Sequence, residues 1–130
     1  MTTLVIGLPG TGKTTYCKEH LGNGLCYDLD AIASAFRLNE PHEEYHPAAR
    51  DMANDLLTGF LYHARGYQLD LFIIRTAPSK KEICEIQPDK LVVCWTKHAD
   101  RRTDNEEETI RRIRDAINYC ELNGIEVECV

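Results

Sequence analysis

One stretch limits the folds open to this chain more than any other. Gly7-Leu-Pro-Gly-Thr-Gly-Lys-Thr14 fits the pattern G-x-x-x-x-G-K-[ST]. Before it, TTLVIG (Thr2 to Gly7) is a short apolar, β-branched run that predicts a buried strand. After it, Thr14 to Leu21 predicts a helix with Tyr16, Cys17 and Leu21 for its inner face, stopped by Gly22-Asn23-Gly24. Strand, glycine-rich turn and helix form the context that the pattern requires. Glycines without Cβ atoms let successive backbone N–H groups converge on an anion, and the helix N-terminus adds partial positive charge. The expected cradle is Gly7, Gly10, Thr11, Gly12, Lys13, Thr14 and Thr15. Lys13 is placed to reach β and γ phosphates, and the Thr14 hydroxyl can ligate Mg²⁺.

The remainder alternates strand and helix patterns. LCYDLD (25–30) reads as a second strand ending in acid, and AIASAFRL (31–38) as a helix. NEPHEEYHP (39–47) is a polar loop with two prolines. A long helix fits Ala48 to Ala64, with Met52, Leu56, Phe60 and Leu61 at helical spacing. LDLFIIR (69–75) is the third strand, APSKKEICEI (77–86) a turn entering a short helix, and KLVVCW (90–95) the fourth strand. After a charged stretch, Thr103 or Asp104 can cap a helix, with Glu106 completing a capping box on Thr103. Ile110, Ile113, Ile117 and Cys120 stripe that helix, Asn123-Gly124 ends it, and IEVECV (125–130) alternates strictly as a fifth strand. Strands separated by helices predict a parallel sheet covered on both faces.

A chain of 130 residues suits a single domain, 1–130, with one core. It has no eighteen-residue apolar run and no basic leader, so neither a membrane span nor a signal peptide is expected and the cytoplasm is the expected compartment. The six cysteines form no C-x-x-C pair and are expected to be reduced packing thiols. A net charge of −6 argues against nonspecific binding of duplex DNA, although not against a nucleotide or one nucleic-acid end.

On the motif GLPGTGKTT and the strand–helix order over nearly the whole length, the chain resembles the P-loop kinases. That branch includes adenylate, gluconate, shikimate and polynucleotide kinases and the zeta-type toxins; small phage-encoded members are nearest in layout. The resemblance implies a three-layer α/β/α sandwich on a five-stranded parallel sheet of order 2-3-1-4-5. It also implies ATP as donor, with Mg²⁺.

Three further segments fit that implication. In YDLDAI, Asp28 and Asp30 are two apart at a strand end, where extended geometry puts both on one face at the carboxyl edge of the sheet. An acceptor hydroxyl needs a carboxylate to take its proton, and Mg²⁺ needs anionic support. The resembling kinases carry an acid here, which makes Asp30 the candidate base and Asp28 the candidate metal or substrate partner, with the roles reversible. Alternatively Asp30 caps the following helix. The third strand ends in Arg75, where many P-loop NTPases have an acid. A guanidinium there suits a bidentate grip on an acceptor phosphate, or a salt bridge to Asp28 or Asp30.

HADRRTDNE lies where the resembling kinases place a lid, and Arg101 and Arg102 match its phosphate-covering arginines, unless they simply balance Glu106 to Glu108. Arg111, Arg112 and Arg114 read as a solvated face, with Arg111 the one that could turn back toward the site. The loop RLNEPHEEYHPAAR, where these kinases build an acceptor pocket, holds Arg37, His42, Tyr45, His46 and Arg50. Its basic and aromatic groups suit a nucleoside, nucleotide or nucleic-acid end, or no ligand at all. His42 and His46 have i, i+4 spacing for a metal, but Pro41 and Pro47 oppose a regular helix there. The reading is a phosphotransferase, with Arg37, Arg50 and Arg75 for the acceptor. An NTP hydrolase and a non-catalytic nucleotide-binding module are the alternatives.

Overall fold

In the computed structural model, residues 1–39, 46–95 and 104–130 are described. Five strands form one sheet: β1 (Thr2–Ile6), β2 (Leu25–Asp28), β3 (Leu71–Arg75), β4 (Lys90–Val93) and β5 (Glu126–Cys129). All pairings are parallel, in the order β2-β3-β1-β4-β5. The intervening helices are α1 (Lys13–His20), α2 (Leu29–Ala35), α3 (Pro47–Arg65), α4 (Lys80–Ile86) and α5 (Asp104–Leu122). Each parallel pair needs a crossover, and the helices supply them.

The pleat sorts the strand residues into two layers. Leu4, Ile6, Tyr27, Leu71, Ile73, Leu91 and Val93 meet residues of α2 to α5, including Leu29, Leu57, Ile83 and Ile113. Val5, Phe72, Ile74, Val92 and Cys94 meet Cys17 of α1, with Tyr16 and Leu21 packed alongside. Such strands, buried on both sides, explain the unbroken apolar runs in β1, β3 and β4.

Coverage is less even than the sequence implies. Register sets Glu126 opposite Lys90 and Glu128 opposite Val92, so both glutamates share the α1 face. Both are exposed there. Lys90 pairs with each of them. The strict alternation of β5 therefore marks a half-open edge strand.

The buried face of α3 also differs from the expected one. Ala49, Ala53, Leu57, Leu61 and Ala64 face inward, while Met52 and Leu56 are 54% and 51% exposed. Small residues let the helix lie close to its neighbours: the Tyr27 hydroxyl donates to the Ala53 carbonyl at 2.5 Å. Shape thus outweighs side-chain hydropathy in setting the helix phase.

At β2 the strand passes into α2 without a turn. Asp28 is its N-cap, accepting from the backbone N–H of Asp30 at 3.1 Å and of Ala31 at 3.4 Å. The expected helix start at Ala31 moves back to Leu29, and the cap is Asp28 rather than Asp30. Ser79 caps α4 in a full capping box with Glu82. Among the described residues, no helix is long and apolar enough to cross a membrane.

Candidate functional site

The loop from Gly7 to Gly12 joins the end of β1 to the start of α1, so it opens at the carboxyl edge of the sheet. Gly10 and Gly12 have φ of 78° and 87°, left-handed values that favour glycine. A Cβ at either would meet nothing within 4 Å, so both positions face open space. Gly7 is the opposite case: a Cβ there would sit 2.4 Å from the Cys94 carbonyl oxygen and 2.7 Å from Thr11 Oγ1. The Gly7 N–H donates to the Thr76 carbonyl at 3.1 Å, which ties the loop to the end of β3.

Two side chains brace the loop from within. Thr11 Oγ1 donates to the Leu8 carbonyl at 2.7 Å, and Lys13 Nζ donates to the Gly7 carbonyl at 2.6 Å. Gly12 caps α1 without a side-chain hydrogen bond. The first N–H groups of the helix, those of Lys13, Thr14 and Thr15 among them, lack intrahelical acceptors. Burial pulls the Lys13 ammonium below the ordinary lysine range, opposed by the nearby charges of Asp30 and then Asp28. Both acids therefore act on the lysine, but they are not alike. Asp28 is engaged in the cap, whereas Asp30 stands one residue inside α2 and its carboxylate pairs with Arg50 of α3. The two do not share a strand face as extended geometry implied.

A cavity of 160 Å³ opens beside Lys13, the first residue of α1. Lys13, Asp30, Arg50, Arg75, Glu82 and Arg112 line it, drawn from six different elements. Arg75 does not pair with Asp28 or Asp30. One of its nitrogens donates to Asn54 Oδ1 of α3 at 2.7 Å, and the other pairs with Glu82 of α4.

Of the arginines on α5, the residue that turns back is Arg112, not Arg111. Arg112 Nη2 donates to the Ala77 carbonyl at 2.9 Å, while Arg111 pairs with Glu108 on the exposed side of its own helix. Arg37 is exposed in the turn after α2 and is not among the residues lining the cavity. His46 caps α3, with Nδ1 accepting from the Ala49 N–H at 3.2 Å. Arg101, Arg102, Thr103, His42 and Tyr45 lie outside the described residues.

Sequence reasoning missed two residues here. Glu82 carried a legible signal, the S-x-x-E of a capping box, but that pattern does not reveal its second partner, Arg75. Arg112 carried none, because one arginine among three on a helix cannot be told apart by spacing alone.

No family model matches the chain, and no curated protein matches it. Solved structures do. One is from the structure of the Pnkp1/Rnl/Hen1 RNA repair complex, with a TM-score of 0.64, 10% identity and 90% of this chain covered. This chain spans 45% of that chain's length. Another is described as "a putative kinase from Chloroflexus aurantiacus", with a TM-score of 0.60 and 13% identity over 99% of this chain and 83% of the other. With the sheet order β2-β3-β1-β4-β5, these likenesses show a three-layer α/β/α fold of the P-loop type.

Proposed function

We propose that the protein is an ATP- and Mg²⁺-dependent phosphotransferase, a single kinase-like domain that moves a γ-phosphoryl group to a nucleoside, nucleotide or polynucleotide end. One observation carries this reading: a carboxylate, Asp30, shares a small cavity with Lys13, Arg50, Arg75 and Arg112. The RNA repair complex and the kinase among the structural neighbours agree with it.

In this reading the backbone N–H groups from Gly10 to Thr15 and the Lys13 ammonium hold the donor phosphates. Asp30 accepts the proton of the acceptor hydroxyl as its oxygen bonds to the γ phosphorus and the bond to the β–γ bridging oxygen breaks. Arg50 orients Asp30, and Arg112 meets the charge that spreads over the transferred group. Arg101 and Arg102 would add to that clamp. Among the described residues, no group of three or more His, Cys, Asp or Glu could hold a metal alone. Mg²⁺ takes few protein ligands and completes its shell with phosphate and water. Thr14 and Asp28 would hold it, and its charge would offset that of the phosphates.

The reading is tested by incubating the protein with γ-labelled ATP and a panel of nucleosides, nucleotides, 5′-hydroxyl oligonucleotides and sugars. Label is expected on one acceptor class, and Lys13→Ala is expected to lower transfer by about 10²–10³-fold. Free phosphate released at the same rate without any acceptor would point to a hydrolase. Tight ATP binding without turnover would point to a binding module. The placement of Arg112 adds a sharper expectation. Arg112→Ala should cost about 10²-fold in kcat, while Arg111→Ala leaves the rate unchanged, as steady-state kinetics on the two variants will show.

A further inference from the structure

A second, larger cavity lies beside the first. It is a groove of 970 Å³ between α3 and α4, and Arg75 and Glu82 line both cavities. Its apolar lining is Leu57 and Leu61 from α3 and Ile86 from α4. Tyr62, also part of the lining, is 78% exposed.

We propose that this groove binds the acceptor, and that the acceptor is an uncharged, nucleoside-class molecule rather than a nucleotide or a polynucleotide end. The inference rests on the phosphotransferase reading and narrows it.

Charge is the first argument. Among the described residues, the small cavity has four cationic side chains, Lys13, Arg50, Arg75 and Arg112, against the carboxylates of Asp30 and Glu82. The surplus is positive and lies where the donor polyphosphate belongs. Beyond the shared Arg75–Glu82 pair, the groove has Arg65 and Lys81 against Asp55 and Glu85, which leaves no surplus. Arg65 is moreover committed, donating to the Ile86 carbonyl at the end of α4. Phosphate recognition calls for concentrated cationic donors, commonly a bidentate arginine. A phosphate in this groove would meet as many carboxylates as cations.

Hydrogen bonding is the second argument. Asn54 accepts from Arg75 through Oδ1, which fixes its amide and leaves the NH₂ group to donate elsewhere. With Thr58 also in the lining, the groove offers neutral hydrogen-bonding groups along apolar walls. A few placed polar groups on an apolar surface describe a site for a small uncharged molecule. The exposed ring of Tyr62 adds a face on which a base can stack. A nucleoside seated there reaches toward Asp30 past Arg75, the side chain common to both cavities.

Thr58→Trp tests the proposal, because Thr58 is exposed on α3 and the change fills the groove without touching the phosphate loop. Transfer from MgATP is measured to adenosine, guanosine, cytidine, uridine and thymidine, to their 5′-monophosphates and to 5′-hydroxyl oligonucleotides. The expected result is transfer to one or more nucleosides, with the acceptor KM raised about tenfold or more in Thr58→Trp and the KM for MgATP unchanged. Preference for monophosphates or oligonucleotides overturns the proposal and leaves the phosphotransferase reading standing, as does an unmoved acceptor KM in Thr58→Trp. Absence of transfer to every acceptor overturns both.

Discussion

Asp30→Asn is expected to lower phosphoryl transfer by about 10²–10⁴-fold, the usual worth of a positioned general base, while MgATP still binds. The two candidate acids are separated by what already holds them. The Asp28 carboxylate accepts from two backbone N–H groups at the start of α2, whereas that of Asp30 pairs with a side chain and lines the cavity with Lys13. An asparagine at 30 keeps the size and can still accept from Arg50, but it cannot take up a proton. The Asp30–Arg50 pair is only partly buried, so its loss should change stability by no more than about 1 kcal/mol. Asp28→Ala should behave in the opposite way. Loss of the cap costs roughly 0.5–2 kcal/mol of stability, with a smaller fall in turnover than at Asp30. Rapid-quench transfer assays and thermal melts of both variants separate the roles. An Asp28→Ala enzyme slower than Asp30→Asn would reverse the assignment.

Gly7→Ala should be the most damaging single methyl group in the loop. The added Cβ would stand 2.4 Å from the Cys94 carbonyl oxygen, a backbone atom at the end of β4, so relief requires the loop and the strand to move apart. Overpacking of this kind costs roughly 1–3 kcal/mol. It would also disturb the Gly7 carbonyl that receives the Lys13 ammonium. Both the melting temperature and phosphoryl transfer should fall. Gly10→Ala and Gly12→Ala provide the contrast, because their Cβ atoms enter open space and only the left-handed backbone opposes them. Each should cost about 1–2 kcal/mol. Equal melting temperatures for the three variants would show that the contact with β4 yields freely.

Much of this architecture was legible in the chain, for reasons that also mark where legibility stops. The strands declared themselves because a sheet buried on both sides leaves continuous β-branched runs, and the loop because few other uses exist for glycines so spaced before Lys13. The strand order came with the family resemblance, since periodicity does not encode which strands are neighbours. The phase of α3 was hidden because Ala49 and Ala53 carry little hydropathy yet fit the closest approach, while Met52 and Leu56 carry much and stay outside. Asp28 and Asp30 were read as a strand pair because no turn residue marks the junction with α2. Arg112 and Glu82 were hidden by the assumption that a polar helix position faces water. At the carboxyl edge of a parallel sheet, such positions also line the crevice.

The half-open strand β5 has a consequence for how one molecule meets another. The last strand of a sheet offers unpaired backbone groups that a second chain can join, which is a route to aggregation. Here that strand carries Glu126 and Glu128 on one face, exposed, with Lys90 paired to both. Two copies approaching edge to edge on that face bring like charges together before any backbone bond can form. The strand that closes the fold thus also discourages its continuation into a neighbour, and added salt weakens that protection by screening it.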